Sequence, residues 1–176
     1  MILERPRSIG CMAVRPREDG DLGALAAVLE TVHREDGYPA YWPADPVPWL
    51  SPRGLFGAWV AEAGGRLVGH VAMAAVGDGH AAEVWRTAGF APDALASLSR
   101  LFVAPAERGA GLGDELVDAA CREADRRGLH PVLDVVETNR AAIALYERRG
   151  WERIAAEPWR EARGAELTLY YYASPR

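Results

Sequence analysis

Leu101-Phe102-Val103-Ala104-Pro105-Ala106-Glu107-Arg108-Gly109-Ala110-Gly111-Leu112-Gly113 is the stretch whose reading decides the fold. A short apolar strand runs into a glycine-rich turn, and the turn opens directly into a helix. Glycines at 109, 111 and 113 let the backbone approach a ligand without interference from a Cβ. The helix start then presents N–H groups that have no acceptor in their own helix, at the positive end of its dipole. Both features suit an anion, and phosphate above all.

Downstream, the helix carries Leu112, Leu116, Val117, Ala120, Cys121 and Ala124 on one face. Asp114 and Glu115 lie in its first turn, and Arg126, Arg127 and Gly128 close it. Pro131 to Glu137 reads as a strongly apolar strand. Thr138-Asn139 can cap a helix over Arg140 to Arg149 that stops at Gly150. Trp151 to Ala156 and Leu167 to Ala173 read as two closing strands around a polar turn.

Upstream, Cys11 to Val14 can form a first strand. Asp21 is placed to cap a helix with apolar positions Leu22, Leu25, Ala26, Leu29 and Val32, which fades near Gly37. Five prolines between Tyr38 and Arg53 forbid a regular helix interior there, and Tyr38, Tyr41, Trp42 and Trp49 give the stretch aromatic bulk. It is either a loop pinned to the core or a wall of a substrate pocket. Phe56 to Ala63, the turn Gly64-Gly65 and Arg66 to Val76 form a hairpin. Residues 77–97 hold a short helix over Ala81 to Ala88 and a turn around Pro92 to Ser97; an insert of this length suggests a lid or an interface. Leu98 to Val103 is the strand that enters the glycine turn.

The order is β-α-loop-β-β-insert-β-α-β-α-β-β. Residues 1–10 read as an extension and 11–173 as a single domain, an α/β fold with a mixed, mostly antiparallel sheet flanked by helices. The 176 residues suffice for one substantial core. A hydrophobic share of 49%, a charged share of 26% and a net charge of -5 are ordinary for a globular chain and speak against a nucleic-acid or anionic-membrane surface. All 20 basic residues are arginine, so a Walker-A lysine and a Schiff-base lysine are excluded. Cys11 and Cys121 stand far apart, and the four histidines show no metal-ligand spacing; no metal is expected. No apolar run is long enough to span a bilayer, and residues 1–7 lack the apolar core of a signal peptide, so a cytoplasmic location is expected.

Two motifs together carry a resemblance. Val103-x-Pro105-x-x-Arg108-Gly109-x-Gly111-x-Gly113 resembles the cofactor loop of the GCN5-related N-acetyltransferases, with Arg108, Gly111 and Gly113 on its Q/R-x-x-G-x-G/A pattern. Asn139, Ala142, Leu145, Tyr146, Gly150 and Trp151 match the family's N-x-x-A-x-x-L-Y-x-x-x-G-F/W segment. The element order agrees over roughly residues 11–173. A strand-GxG-helix turn also occurs in dinucleotide folds, but their fingerprint opens the domain and needs an acid after the next strand.

The resemblance implies acetyl-CoA as cosubstrate and direct transfer of its acetyl group to an amine. The amides of Arg108, Gly109, Ala110, Gly111, Leu112, Gly113 and Asp114 would hold the pyrophosphate as an anion nest. Arg108 either adds a cation there or is a solvated turn residue. Backbone groups around Leu101, Phe102 and Val103 would pair with the pantetheine arm, where their strand splays from the strand at 132–136. Tyr146 would protonate the leaving thiolate, or else it packs under its helix. Asn139 contacts the cofactor arm, caps its helix, or both. The acid that many members carry on the strand before the glycine loop is missing from Ala96-Ser97-Leu98-Ser99-Arg100. Asp134 matches an acidic position used by N-terminal amine acetyltransferases of this fold; it is either the base or the partner of Arg100. Glu83, Glu137 and His70 are weaker candidates. The acceptor is a small amine or a peptide N-terminus, and the resemblance makes a homodimer reasonable. The alternative is a CoA-binding regulatory module without catalysis.

Overall fold

In the computed structural model, which describes residues 12–160 and 166–176, seven strands form one sheet. They are β1 (Ala13–Pro16), β2 (Leu55–Ala63), β3 (Arg66–Ala75), β4 (Leu95–Val103), β5 (His130–Val136), β6 (Glu152–Arg160) and β7 (Glu166–Ala173). The helices are α1 (Leu22–Asp36), α2 (Pro46–Trp49), α3 (His80–Thr87), α4 (Leu112–Arg126) and α5 (Arg140–Arg148). The order across the sheet is β1-β2-β3-β4-β5-β7-β6, and only the β4–β5 pairing is parallel. That is the mixed, mostly antiparallel α/β sheet expected. The expected extension over residues 1–10, Cys11, and part of the polar turn before the last strand lie outside the described residues.

Alternation along the strands sends successive side chains to opposite faces. Trp59 and Ala61 of β2, Leu133 and Val135 of β5 and Tyr172 of β7 pack with the apolar stripes of α4 and α5. Val60 and Phe102 instead face Leu25, Leu29 and Val32 of α1, and Val132 and Tyr171 face Val84 and Trp85 of α3. Leu25, Leu29 and Leu116 are wholly buried, each worth about 2 kcal/mol of apolar transfer.

Several boundaries differ from the sequence expectation. β4 begins at Leu95, not Leu98, because residues 95–97 pair in parallel with His130 to Val132 and so join the sheet. β6 runs on to Arg160, held by pairing with β7. Asp21 does not cap α1 with its side chain; its carboxylate accepts from Arg15 at 2.8 and 2.9 Å and from the Glu18 N–H at 2.8 Å. The proline-rich stretch contains one helical turn, α2, with Pro46 in its first position and Asp45 capping through the Val47 N–H at 3.1 Å.

Candidate active site

The site begins where two neighbouring strands part. The β4–β5 ladder covers Leu95 with His130, Ala96 with Pro131 and Ser97 with Val132, and then stops. On the other side of β4 the register slips: His70 pairs Phe102 while Ala72 pairs Ser99, so Arg100 and Leu101 together oppose Val71. This is a β-bulge, and Arg100 takes a left-handed φ of 55°. The inward apolar positions of β4 therefore run Ala96, Leu98, then Leu101 and Val103, with one spacing of three in a series of twos. The slip turns Arg100 towards the α1 and α2 face, where its guanidinium lies 4.0 Å from the Trp49 ring and Nε donates to the Trp49 carbonyl at 3.1 Å.

The opened edge of β4 leads to α4. Among the described residues, none of the N–H groups of 109–114 donates a hydrogen bond; the first amide of this segment to do so is Glu115, to the Gly111 carbonyl at 3.1 Å. Gly111, the residue before α4, supplies no side-chain cap. Gly109 and Gly111 have φ of 81° and 85°, and a Cβ built on either meets nothing within 4 Å. A row of unsatisfied donors thus faces open space at a helix start. Gly113 lines the cleft and also serves packing. A Cβ there would come 3.0 Å from Leu145 Cδ1, so this glycine lets α5 pack closely on α4.

The cleft beside these amides has a volume of about 770 Å³. Leu101, Phe102 and Val103, the glycine turn with Arg108 and Asp114, and Asn139 with Arg140 and Arg148 of α5 line it, and the end of α1 with Tyr38 forms the opposite wall. Arg108 pairs with Asp36 across the cleft, and its Nε donates to the Val103 carbonyl at 3.2 Å. The Asp114 carboxylate is taken up by Arg148 and Arg149, both at 3.0 Å. Asn139 Oδ1 caps α5 through the Ala142 N–H at 3.3 Å, which leaves its amide nitrogen free to donate into the cleft.

Beyond the cleft lining, groups from both faces of the sheet share one electrostatic field. Tyr146 of α5 is buried against Trp151, ring centroids 5.4 Å apart, and is not part of the cleft's outer wall. Among the described residues its hydroxyl makes no hydrogen bond; its electrostatic neighbours are Tyr38, Cys121 and Asp134. Burial pushes its pKa upward, so the phenol holds its proton at neutral pH. Asp134 extends from β5 beside Tyr171. Asp134 is exposed at the sheet surface, yet the protein around its carboxylate costs it hydration and its pKa rises; Arg100 opposes the rise in part. Asp134 and Arg100 form no ion pair within 4.0 Å. Tyr38 is likewise raised, to about 12, by burial.

The weaker candidates do not line the cleft and are engaged elsewhere. Glu83 pairs with Arg86 at 2.5 Å on the exposed face of α3, and Glu137 accepts the Thr168 N–H at 2.9 Å. His70 is fully buried and its pKa is lowered to about 4, chiefly by burial. Cys121 is a free thiol pushed up to about 12 by burial, in keeping with a small packed residue. Tyr38, Arg140 and Arg148 line the cleft without any motif to announce them, and Arg100 adjoins it. For Arg100 a signal exists, since the apolar spacing 96, 98, 101, 103 marks the bulge.

This strand order with its parted parallel pair is that of the acyl-CoA N-acyltransferase class. The structure is similar over 93% of the chain to a ribosomal-protein-alanine N-acetyltransferase from Brucella melitensis, with a TM-score of 0.71, 26% identity and 99% of that chain covered. It is also similar to YncA, a putative acetyltransferase from Salmonella typhimurium solved with its cofactor acetyl-CoA, with a TM-score of 0.70, 22% identity, and 93% and 92% of the two chains covered. In sequence it is 37% identical over 118 residues to a mycothiol acetyltransferase from Geodermatophilus obscurus, 66% of this chain and 34% of that protein. A mycothiol acetyltransferase from Thermobispora bispora is 37% identical over 107 residues, 60% of this chain and 32% of that protein. The chain thus spans about a third of the length of these relatives. The model of the acetyltransferase (GNAT) family matches residues 24–151, and the chain belongs to that family.

Proposed function

We propose that the protein is an N-acetyltransferase that moves the acetyl group of acetyl-CoA directly to an amine. One observation supports this reading: the gap between β4 and β5 opens beside the unpartnered amides of residues 109–114, and Tyr38 of the cleft wall lies within electrostatic reach of Tyr146, as does Asp134. Acetyl-CoA supplies the activated thioester. The amides of 109–114 hold its pyrophosphate, with Arg140 and Arg148 beside them and Arg108 available if it leaves Asp36. The backbone groups of Leu101 and Val103 beyond the end of the β4–β5 ladder receive the pantetheine arm as an added strand, with Arg108 Nε giving up the Val103 carbonyl.

Asp134 takes one proton from the acceptor ammonium, directly or through water, and its raised pKa makes it a better base than an ordinary carboxylate. The amine nitrogen bonds to the carbonyl carbon and the carbon–sulfur bond breaks. Tyr146 gives its proton to the departing sulfur and regains one from the acylated nitrogen. Much of the rate comes from holding two substrates in line.

The test is release of free thiol from acetyl-CoA with a broad panel of amines. Release with at least one amine, lost in Tyr146→Phe, supports the reading. Tight acetyl-CoA binding with no release across the panel overturns it.

A further inference from the structure

Arg100 stands beside the cleft, next in the chain to its lining residues Leu101 and Phe102; the proposed reaction has no use for it, yet the fold takes unusual steps to hold it there. The bulge gives it a left-handed backbone that a non-glycine residue rarely adopts. His70, wholly buried, holds the Arg100 carbonyl at 3.0 Å, while its other ring nitrogen meets Arg17 Nη1 at 3.0 Å. Arg17 is itself fixed to the Leu50 carbonyl and Ser51 Oγ, each at 2.8 Å. The Arg100 side chain is held as firmly: Trp49 stacks on its guanidinium and accepts from Nε.

What is left is the fork of Nη1 and Nη2. Among the described residues neither makes a hydrogen bond or an ion pair, and neither is sealed from solvent. The groups that share its field are Tyr38 and Asp134. A guanidinium with its plane fixed and both Nη groups free is pre-organised for a carboxylate, which it can bind through two parallel bonds. Asp134 stands on the same face of the sheet, too far for a direct ion pair. A small zwitterion can join a fixed cation to a carboxylate that shares its field, its ammonium towards Asp134 and its carboxylate towards Arg100.

We propose that Arg100 binds a carboxylate on the acceptor, so that the acceptor is an amine bearing a carboxylate on the same or a nearby carbon, as in a free amino acid. This rests on the acetyl-transfer reading above and narrows its acceptor class. Arg100 is then a specificity residue, positioned by His70 and Arg17.

The experiment compares amino acids with their carboxamides as acceptors, measuring thiol release at saturating acetyl-CoA in the full chain and in Arg100→Met and Arg100→Lys. The wild type is expected to favour each acid over its amide by about tenfold or more in kcat/KM, the worth of a charged hydrogen bond. Arg100→Met erases that ratio by raising KM for the acid alone and leaves KM for acetyl-CoA within about twofold; Arg100→Lys keeps part of it. Equal use of acids and amides by the wild type overturns the proposal. So does an equal loss on both in Arg100→Met, which assigns Arg100 to the fold or to the thioester. Thiol release with other amines but with neither set overturns this proposal alone, whereas no release with any amine overturns acetyl transfer as well.

Discussion

His70 Nδ1 donates to the carbonyl oxygen of Arg100 across 3.0 Å, at the point where the β3–β4 register slips. The tautomer follows from the other ring nitrogen, which faces Arg17 Nη1, a group that can only donate. The imidazole is therefore neutral, and its lowered pKa of about 4 expresses the cost of a second proton in a buried site between two arginines. Because the folded pKa lies below the unfolded one, this stabilisation is present above about pH 6.5 and is lost as pH falls towards 4. Up to about 3 kcal/mol of unfolding free energy is expected to disappear over that range. Urea unfolding at pH 7 and pH 4.5 measures it, and His70→Gln is expected to lose most of the dependence.

Tyr146→Phe removes a hydroxyl that has no hydrogen-bond partner among the described residues, so folding is expected to survive. Turnover should fall by about 10² to 10⁴-fold, the usual worth of a positioned proton donor. The rise in melting temperature on adding acetyl-CoA should persist. A variant with normal turnover removes Tyr146 from the chemistry.

Asp134→Asn is expected to trade activity for stability. The folded pKa of Asp134 is raised, so its favourable contribution exists at low pH and is lost as pH rises through the folded value. Above the folded value the ionised carboxylate is a net cost, and the neutral amide should raise the melting temperature there. The same change should abolish the acidic limb of the kcat/KM profile, which in the wild type falls as Asp134 takes up a proton. A profile with the same acidic limb in both proteins would assign that limb to another group.

The two glycines of the α4 start should separate in their effects. Gly113→Ala forces Leu145 to give way and should lower the melting temperature, with partial recovery in a double variant carrying Leu145→Ala. Gly111→Ala meets no neighbour, but it places a Cβ at φ 85°, costing about 1–2 kcal/mol of strain, and projects it into the space before the free amides. Its larger effect should be on acetyl-CoA affinity, measured by calorimetry.

Most of the fold was legible because its signals are local. The hairpin around Gly64-Gly65, the stop of α1 at Gly37 and the stripe of α4 each follow from a short run of residues. The boundaries that shifted, at Leu95 and Arg160, depend on pairing with strands distant in the chain, and no local pattern encodes a distant partner. Gly113 shows the same limit, since its neighbour Leu145 comes from another helix.

The sequence by itself determined the local structure of the proposed donor end. The strand, the glycine turn and the helix start between Leu101 and Asp114 are contiguous, so their backbone chemistry can be read from residue order alone. Only the tertiary structure decided the other end. Arg100, Asp134, Tyr38 and Tyr146 come from four separate segments, and Tyr38 and Asp134 come within electrostatic reach of both Arg100 and Tyr146 where β4 bulges and parts from β5 after Ser97. Such a meeting is a property of register between strands, which hydrogen bonding and packing across the whole sheet select.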